Sequence, residues 1–382
     1  MKIICQIVSA GMLAGFTVCA QADIKIGATL CSTGPAASLG IPVKNGLALL
    51  PTEIGGEKLQ WIILDDATDP TAASKNARKL VSEDNVDLLV GSSITPNTIA
   101  VMEVAAESQT PVVAIAGASM LVTPMDAKRH WVFKVPQNES LMAKAIFEHM
   151  AKHGIKTVGY IGFNDSYGES WWKEAQHAAA EAGIKFVVSE RYAKTDTSVT
   201  GQVLKLLGAK PEAILVGAAG TPAALPHITL KQRGYGGKIY QTHGVANAEF
   251  LRVGGKDVEG SFLPTGPIQV VDQLPDSHPS KKQGKEFAAK YDAKYGAGTA
   301  NGFGAYSWDL GVWLKQAIPI ALKSAKPGTP EFRAALRDAF EGMKDVVGSH
   351  GVYNLSATDH NGLDNRGRVM VTIQGGTWKL AD

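Results

Sequence analysis

The chain has 382 residues, 45% of them hydrophobic and 19% charged, with a formal net charge of +2. That balance describes a packed globular chain long enough for two or three domains and excludes a disordered or fibrous one. There is no basic stripe for nucleic acid and no acidic tail, and the nine histidines fall in no zinc-finger or HExxH spacing.

Residues 1–22 open the chain differently. Lys2 supplies a positive charge, Ile3 to Val18 is predominantly apolar and free of acids, and Ala20-Gln21-Ala22 offers the small residues that signal peptidase reads. A secretory signal cleaved before Asp23 is expected, because the run is too short and wrongly flanked for a membrane anchor. The expected location is therefore the periplasm. Cys5 and Cys19 would leave with the signal, so Cys31 stays alone and no internal disulfide can form.

From Asp23 onward, short apolar runs alternate with longer amphipathic ones. Strands are predicted at Ile24–Leu30, Leu59–Leu64, Val86–Val90, Val112–Ile115, Thr157–Ile161, Lys185–Ser189, Ala213–Val216 and Lys238–Thr242. Most are unbroken apolar runs, the pattern of parallel strands buried on both faces. Helices are predicted between them at Thr71–Glu83, Thr98–Glu107, Leu141–His153, Gly168–Ala182, Thr197–Leu207 and Pro222–Arg233. Repeated βα units predict an α/β, doubly wound architecture, and the alternation restarts near residue 140, which predicts two similar lobes. After Gly260 the pattern reads as a loop with Pro264, Pro267, Pro275 and Pro279. Helices follow near Lys281–Tyr295, Ala305–Ser324 and Glu331–Phe340, and turns with a hairpin end the chain.

Enzyme templates fail: there is no G-x-S-x-G elbow, no phosphate-binding G-x-x-x-x-G-K-[ST] loop and no strand–GxGxxG–helix unit. Asp65, Asp66 and Asp69 could be drawn as metal ligands, but acids at a strand end more often cap the next helix. "TDHNG" (358–362) has the residues of an ordinary turn. Cys31 with His243 could form a nucleophile and base, yet no third group to orient the imidazole is evident. What remains is a set of polar or glycine-rich loops at strand ends: 30–40, 91–98, 116–119, 164–172, 217–222 and 242–244. Backbone N–H groups at helix starts suit such loops to a carboxylate or other anion. Spread over two lobes, they describe a binding cleft, and no metal or cofactor is expected.

"IKIGATLCSTGPAASLGIPVKNGLALL", "DDATDPTAASKNARKLV", "VGSSITPNTIAVMEVAAESQTPVVA", "NDSYGESWWKEA" and "HGVANAEFL" fall in the order and spacing of a known family. Over residues 23–382 the chain resembles the type I periplasmic solute-binding proteins of the leucine/isoleucine/valine-binding class, which serve ABC importers. The resemblance implies two Rossmann-like lobes joined by three crossovers, near Phe133–Gln137, Pro264–Gln269 and Val352–Leu355. Lobe one would be 23–136 with 265–351, and lobe two 137–264 with 352–382. It also implies hinge closure on a small molecule, a membrane permease as partner, no nucleic acid, and a monomer.

Carried over position by position, the resemblance puts ligand-carboxylate contacts at Thr95, Asn97 and Thr98 and at Gly117, Ala118 and Ser119. It puts an aromatic cover at Tyr167 and a second aromatic at Phe303, and the strand-end loop 217–222 adds Gly220 and Thr221 as candidate contacts. Two departures follow. Leu39 stands where the family often has an aromatic, and His243 stands where amino-acid binders keep an acid for the ligand ammonium. A neutral imidazole cannot balance a buried ammonium, and a protonated one repels it. The expected ligand is a small apolar or aromatic carboxylate. The alternatives are a branched-chain amino acid or amide balanced by Asp165 or Glu249, and a periplasmic hydrolase using His243.

Overall fold

The computed structural model describes residues 23–381; the expected signal segment lies outside the described residues. The first sheet is built from β1 (Ile24–Leu30), β2 (Glu53–Ile54), β3 (Glu57–Asp65), β4 (Leu88–Val90), β5 (Val112–Ala114) and β6 (Val132–Lys134), in the order β2-β3-β1-β4-β5-β6. The second contains β7 (Thr157–Phe163), β8 (Lys185–Tyr192), β9 (Ala213–Gly217), β10 (Lys238–Gln241) and β11 (Phe262–Thr265). A short pair, β12 (Val346–Val347) and β13 (Val352–Tyr353), precedes the terminal hairpin β14 (Val369–Gln374) and β15 (Thr377–Leu380). The hairpin extends the second sheet to β15-β14-β11-β10-β9-β7-β8.

The parallel cores β3-β1-β4-β5-β6 and β8-β7-β9-β10-β11 follow one order, the second strand of each lobe lying outside the first. Each core therefore has one point where the strand order reverses, β1/β4 and β7/β9, and such points are where open α/β sheets bind ligands. Helices α1 (Ala37–Leu47), α2 (Pro70–Ser82) and α3 (Thr95–Ser108) follow β1, β3 and β4, and α4 (Glu139–Lys152) leads into β7. In the second lobe α5 (Ser166–Glu181), α6 (Thr200–Ala209), α7 (Ala224–Gln232) and α8 (Ala248–Gly254) follow β7, β8, β9 and β10. Side-chain caps fix several starts: Asp69 accepts from Ala72 N at 2.7 Å, and Asn247 from Phe250 N at 3.0 Å. Asp69 is thus a helix cap, and Asp359 accepts from Asn361 N and Gly362 N as a turn residue does.

Two readings are corrected. The segment after Gly260 begins with strand β11, in which Pro264 pairs with Met370 on the antiparallel side. On the other side β11 shares one residue pair with β10, so the missing proline N–H interrupts little of the ladder. Helix α1 also forms, despite Pro42 and Gly46, because packing overrides propensity. It lies against α10 (Gly302–Ala321), which comes after α9 (Lys281–Tyr295) and before α11 (Pro330–Glu341). A methyl on Gly46 would sit 2.3 Å from Gly304 O, and Ser307 Oγ donates to Val43 O at 2.8 Å.

Three distant segments meet where the chain passes between the sheets. Gln137 Nε2 donates to Gly367 O at 2.7 Å and to His350 Nδ1 at 3.2 Å, while its Oε1 accepts from Tyr306 at 3.2 Å. A methyl on Gly266 would lie 2.0 Å from His350 Nδ1. Buried Asp309 accepts from Ser349 N and Oγ and from His350 N, holding the histidine in place.

Candidate functional site

The carboxyl ends of the two sheets face each other across a narrow cleft. Its first wall is Leu39, Ser93, Ile94, Thr95, Pro96, Ala116 and Gly117; its second is Phe163, Asp165, Tyr167, Lys194 and Ala219. The enclosed space between them is about 30 Å³.

Thr95 opens α3 instead of ending a loop, since Pro96 starts the helix one turn earlier than predicted. Its buried Oγ1 has no partner, and neither does Ser93 Oγ or either amide atom of Asn97. Buried polar atoms without partners are uncommon, and these gather at the β1/β4 reversal. Thr98 differs: its hydroxyl donates back to Ile94 O at 2.8 Å and Ser92 O at 3.0 Å, inside the helix's first turn. Gly117 lines the cleft, whereas buried Ala118 packs among α2 and α3 residues. Ser119 Oγ accepts from Ser140 N at 3.3 Å, at the start of α4.

Tyr167 presents its ring to the cleft, but its hydroxyl is engaged with Thr242 Oγ1 at 2.9 Å. Thr242 in turn donates to Ala218 O at 2.6 Å, so Tyr167 OH is the donor and pins the end of β10. Gly220, at φ +64°, would bring a methyl 3.1 Å from Ser38 Oγ of the opposite lobe. Thr221 is half-buried beside it. Phe303 lies in the first core, its ring 5.9 Å from Tyr306, and is not on the cleft wall.

His243 is buried across from Gly117, where a methyl would sit 2.4 Å from its Nε2. Its Nδ1 has no partner, and the Trp171 ring stands 5.7 Å away. Burial first, then the Lys134 ammonium and His350, push its pKa down to about 3, so the imidazole is neutral. The folded form therefore binds fewer protons than the unfolded chain below the ordinary histidine value. Stability contributed this way falls as pH drops from about 6.5 toward about 3, by about 2 kcal/mol at pH 5. His243→Gln should remove that increment: urea unfolding at pH 7.5 and pH 5 should show a smaller loss than in the wild type. An equal loss would contradict it.

Ser93 and Lys194 carry no signal of their own in the sequence; Ser93 is one of several hydroxyls in the loop that contains Thr95 and Thr98. Lys194 and Asp165 pair at 2.8 Å at the cleft wall, and Asp165 also caps α5 through Tyr167 N and Gly168 N. Behind the Gly117 loop, Lys134 is fully buried, its Nζ donating to Gly117 O at 2.9 Å and Gln137 O at 3.2 Å. Fully buried Glu139 contacts Ser170 Oγ, and its Oε1 has no partner. A charge at the end of a strand or the start of a helix is normally solvated, so neither stands out in the sequence. Cys31 is buried against Ser92, and burial with the Asp66 charge pushes its thiol pKa well up, which leaves it a poor nucleophile.

The sequence profile described as periplasmic binding protein matches residues 23–377. The leucine-, isoleucine-, valine-, threonine-, and alanine-binding protein of Pseudomonas aeruginosa is 25% identical over 265 residues, 67% of this chain and 70% of the relative. An extracellular ligand-binding receptor from Rhodopseudomonas palustris HaA2 superposes with a TM-score of 0.91 at 47% identity, covering 94% of this chain and all of that one (100%). A solute-binding protein of an R. palustris ABC transporter, in complex with benzoate, superposes at 0.81 with 19% identity, covering 94% and 95% of the two chains. Among the described residues no helix is long and apolar enough to cross a membrane. Two sheets with the same strand order, a cleft between their carboxyl ends and a profile match over nearly the whole chain lead to one assignment: this chain belongs to the periplasmic binding protein family.

Proposed function

We propose that the chain is the substrate-binding component of an ABC importer and captures a small apolar or aromatic carboxylate that lacks an ammonium group. The observation that carries this reading is the state of the acids at the cleft. Among the described residues on its walls Asp165 is the only carboxylate, and it is already paired with Lys194 and bonded to two backbone N–H groups. Glu249 is on the surface, paired with Arg252. Neither offers a free charge for an ammonium, and His243 is neutral where the family's amino-acid binders keep an acid. Ser93, Thr95 and the Gly117 loop supply the polar end of the site, and Leu39, Ile94, Phe163 and Tyr167 the apolar body.

Relatives of this fold include an amino-acid binder and a benzoate complex, so the fold does not choose the ligand. The cleft is narrow, and ligand enters as the lobes part, hinging about the segments near Gln137, Gly266 and Val352–Leu355. Capture, closure and delivery to a membrane permease complete the cycle. A thermal-shift screen of benzoate-type acids, aliphatic acids and amino acids tests the reading, since a ligand bound only by the folded state raises the melting temperature. Organic acids should stabilise and leucine should not; stabilisation by leucine alone overturns it.

A further inference from the structure

Lys134 and Glu139 are both fully buried behind the Gly117 loop. Lys134 Nζ holds Gly117 O, so an ammonium lies one loop's thickness from the cleft wall. Glu139, at the start of α4, faces it. Around Glu139 stand Ser170, Tyr167 and Glu174 of α5, Tyr160 of β7 and the Ser119 N–H of the 116–119 loop (the cradle loop); Asp359 faces Lys134 from the turn after the last crossover, and His243 faces it from the second lobe. Without ligand, the Lys134 and Glu139 charges offset each other, while burial pushes the lysine pKa down and the glutamate pKa up. A ligand carboxylate closed into the same region makes two anions for one cation, and an unbalanced buried charge is costly.

Resting on the carboxylate reading above, we propose that Glu139 is a specificity-determining residue that takes up a proton as an organic anion binds, leaving the Lys134 ammonium to balance the ligand. The proton comes from solvent and ends on the Glu139 carboxylate; no other bond changes. The Ser170 hydroxyl can donate to the carboxylate or accept from the acid, so both forms are held. Burial already pushes the Glu139 pKa upward, which makes the proton easy to accept. A zwitterion brings no net charge and drives no uptake, so the device favours anions over amino acids.

Calorimetric titration of the mature protein with benzoate and with 4-methylpentanoate, each in phosphate and in Tris at matched pH, tests this. The two buffers differ in ionisation heat, so proton uptake appears as a buffer-dependent binding enthalpy. The expected result is partial uptake, averaging about half a proton between pH 6 and pH 8, with an affinity roughly tenfold weaker at pH 8 than at pH 6. Glu139→Gln, which imitates the protonated form, should bind with the same enthalpy in both buffers and a flat pH profile. Equal enthalpies in the wild type, or uptake that persists in Glu139→Gln, overturns the proposal while leaving the carboxylate reading intact. Absence of binding by both acids in both buffers overturns the carboxylate reading and this inference with it. The wild-type comparison stands even if the variant does not fold.

Discussion

Replacing Lys134 by methionine is expected to lower the unfolding free energy by about 3–5 kcal/mol, since two buried hydrogen bonds from a charged donor, each worth about 1.5–3 kcal/mol, are lost. The side chain is fully buried and its Nζ makes two bonds to backbone carbonyls, on Gly117 and Gln137. Methionine leaves both carbonyls short of a donor and leaves Glu139 without its counter-charge. The Lys134→Met/Glu139→Gln double variant should recover a substantial part of the loss, because the remaining amide carries no charge to strand. Urea unfolding of the four proteins measures the coupling. Additive single losses would mean that Lys134 and Glu139 do not act as a pair.

The second large effect concerns ligand choice. His243→Glu should weaken binding of an organic acid by at least about 100-fold, since a carboxylate buried against the Gly117 wall of the cleft opposes the ligand's own at a cost of several kcal/mol. His243→Gln, neutral and of similar size, should retain affinity within several-fold. Titration of both variants with benzoate and leucine separates charge from shape. Wild-type affinity for the acid in His243→Glu would show that the position does not face the ligand's charge.

The parts of this molecule that were legible in the sequence are those set by local pattern. Val112–Ile115 and Ala213–Val216 are unbroken apolar runs, and such runs in a βα alternation leave little choice but buried parallel strands. Phe262–Thr265 was hidden because Pro264 speaks against a strand, and only the neighbouring β14 shows why its missing N–H is tolerated. Helix α1 was hidden for a similar reason: Gly46 lowers helix propensity but permits the close approach of α10.

The site divides along the same line. His243 stands out in the sequence because a lone imidazole follows just after β10, at the strand end of a βα unit. Ser93, Thr95 and Thr98 are equivalent as hydroxyls in one loop. Which of them is consumed by the backbone depends on where α3 starts, and Pro96 places that start earlier than periodicity suggested. Lys134 and Glu139 could not be read at all, because a charge at the end of a strand or the start of a helix is normally solvated. Their burial comes from the packing of α5, the cradle loop and the last crossover around them.

The central claim is that the cleft accepts a carboxylate without an ammonium beside it. Matched ligands test this most directly: 4-methylpentanoate against leucine, and 3-phenylpropanoate against phenylalanine, each pair differing only by the α-amino group. Calorimetric titration should give at least one acid an affinity about 100-fold or more above its amino-acid partner, the equivalent of about 3 kcal/mol. Equal affinities within a pair that binds, or tighter binding of the amino acid, would contradict the account.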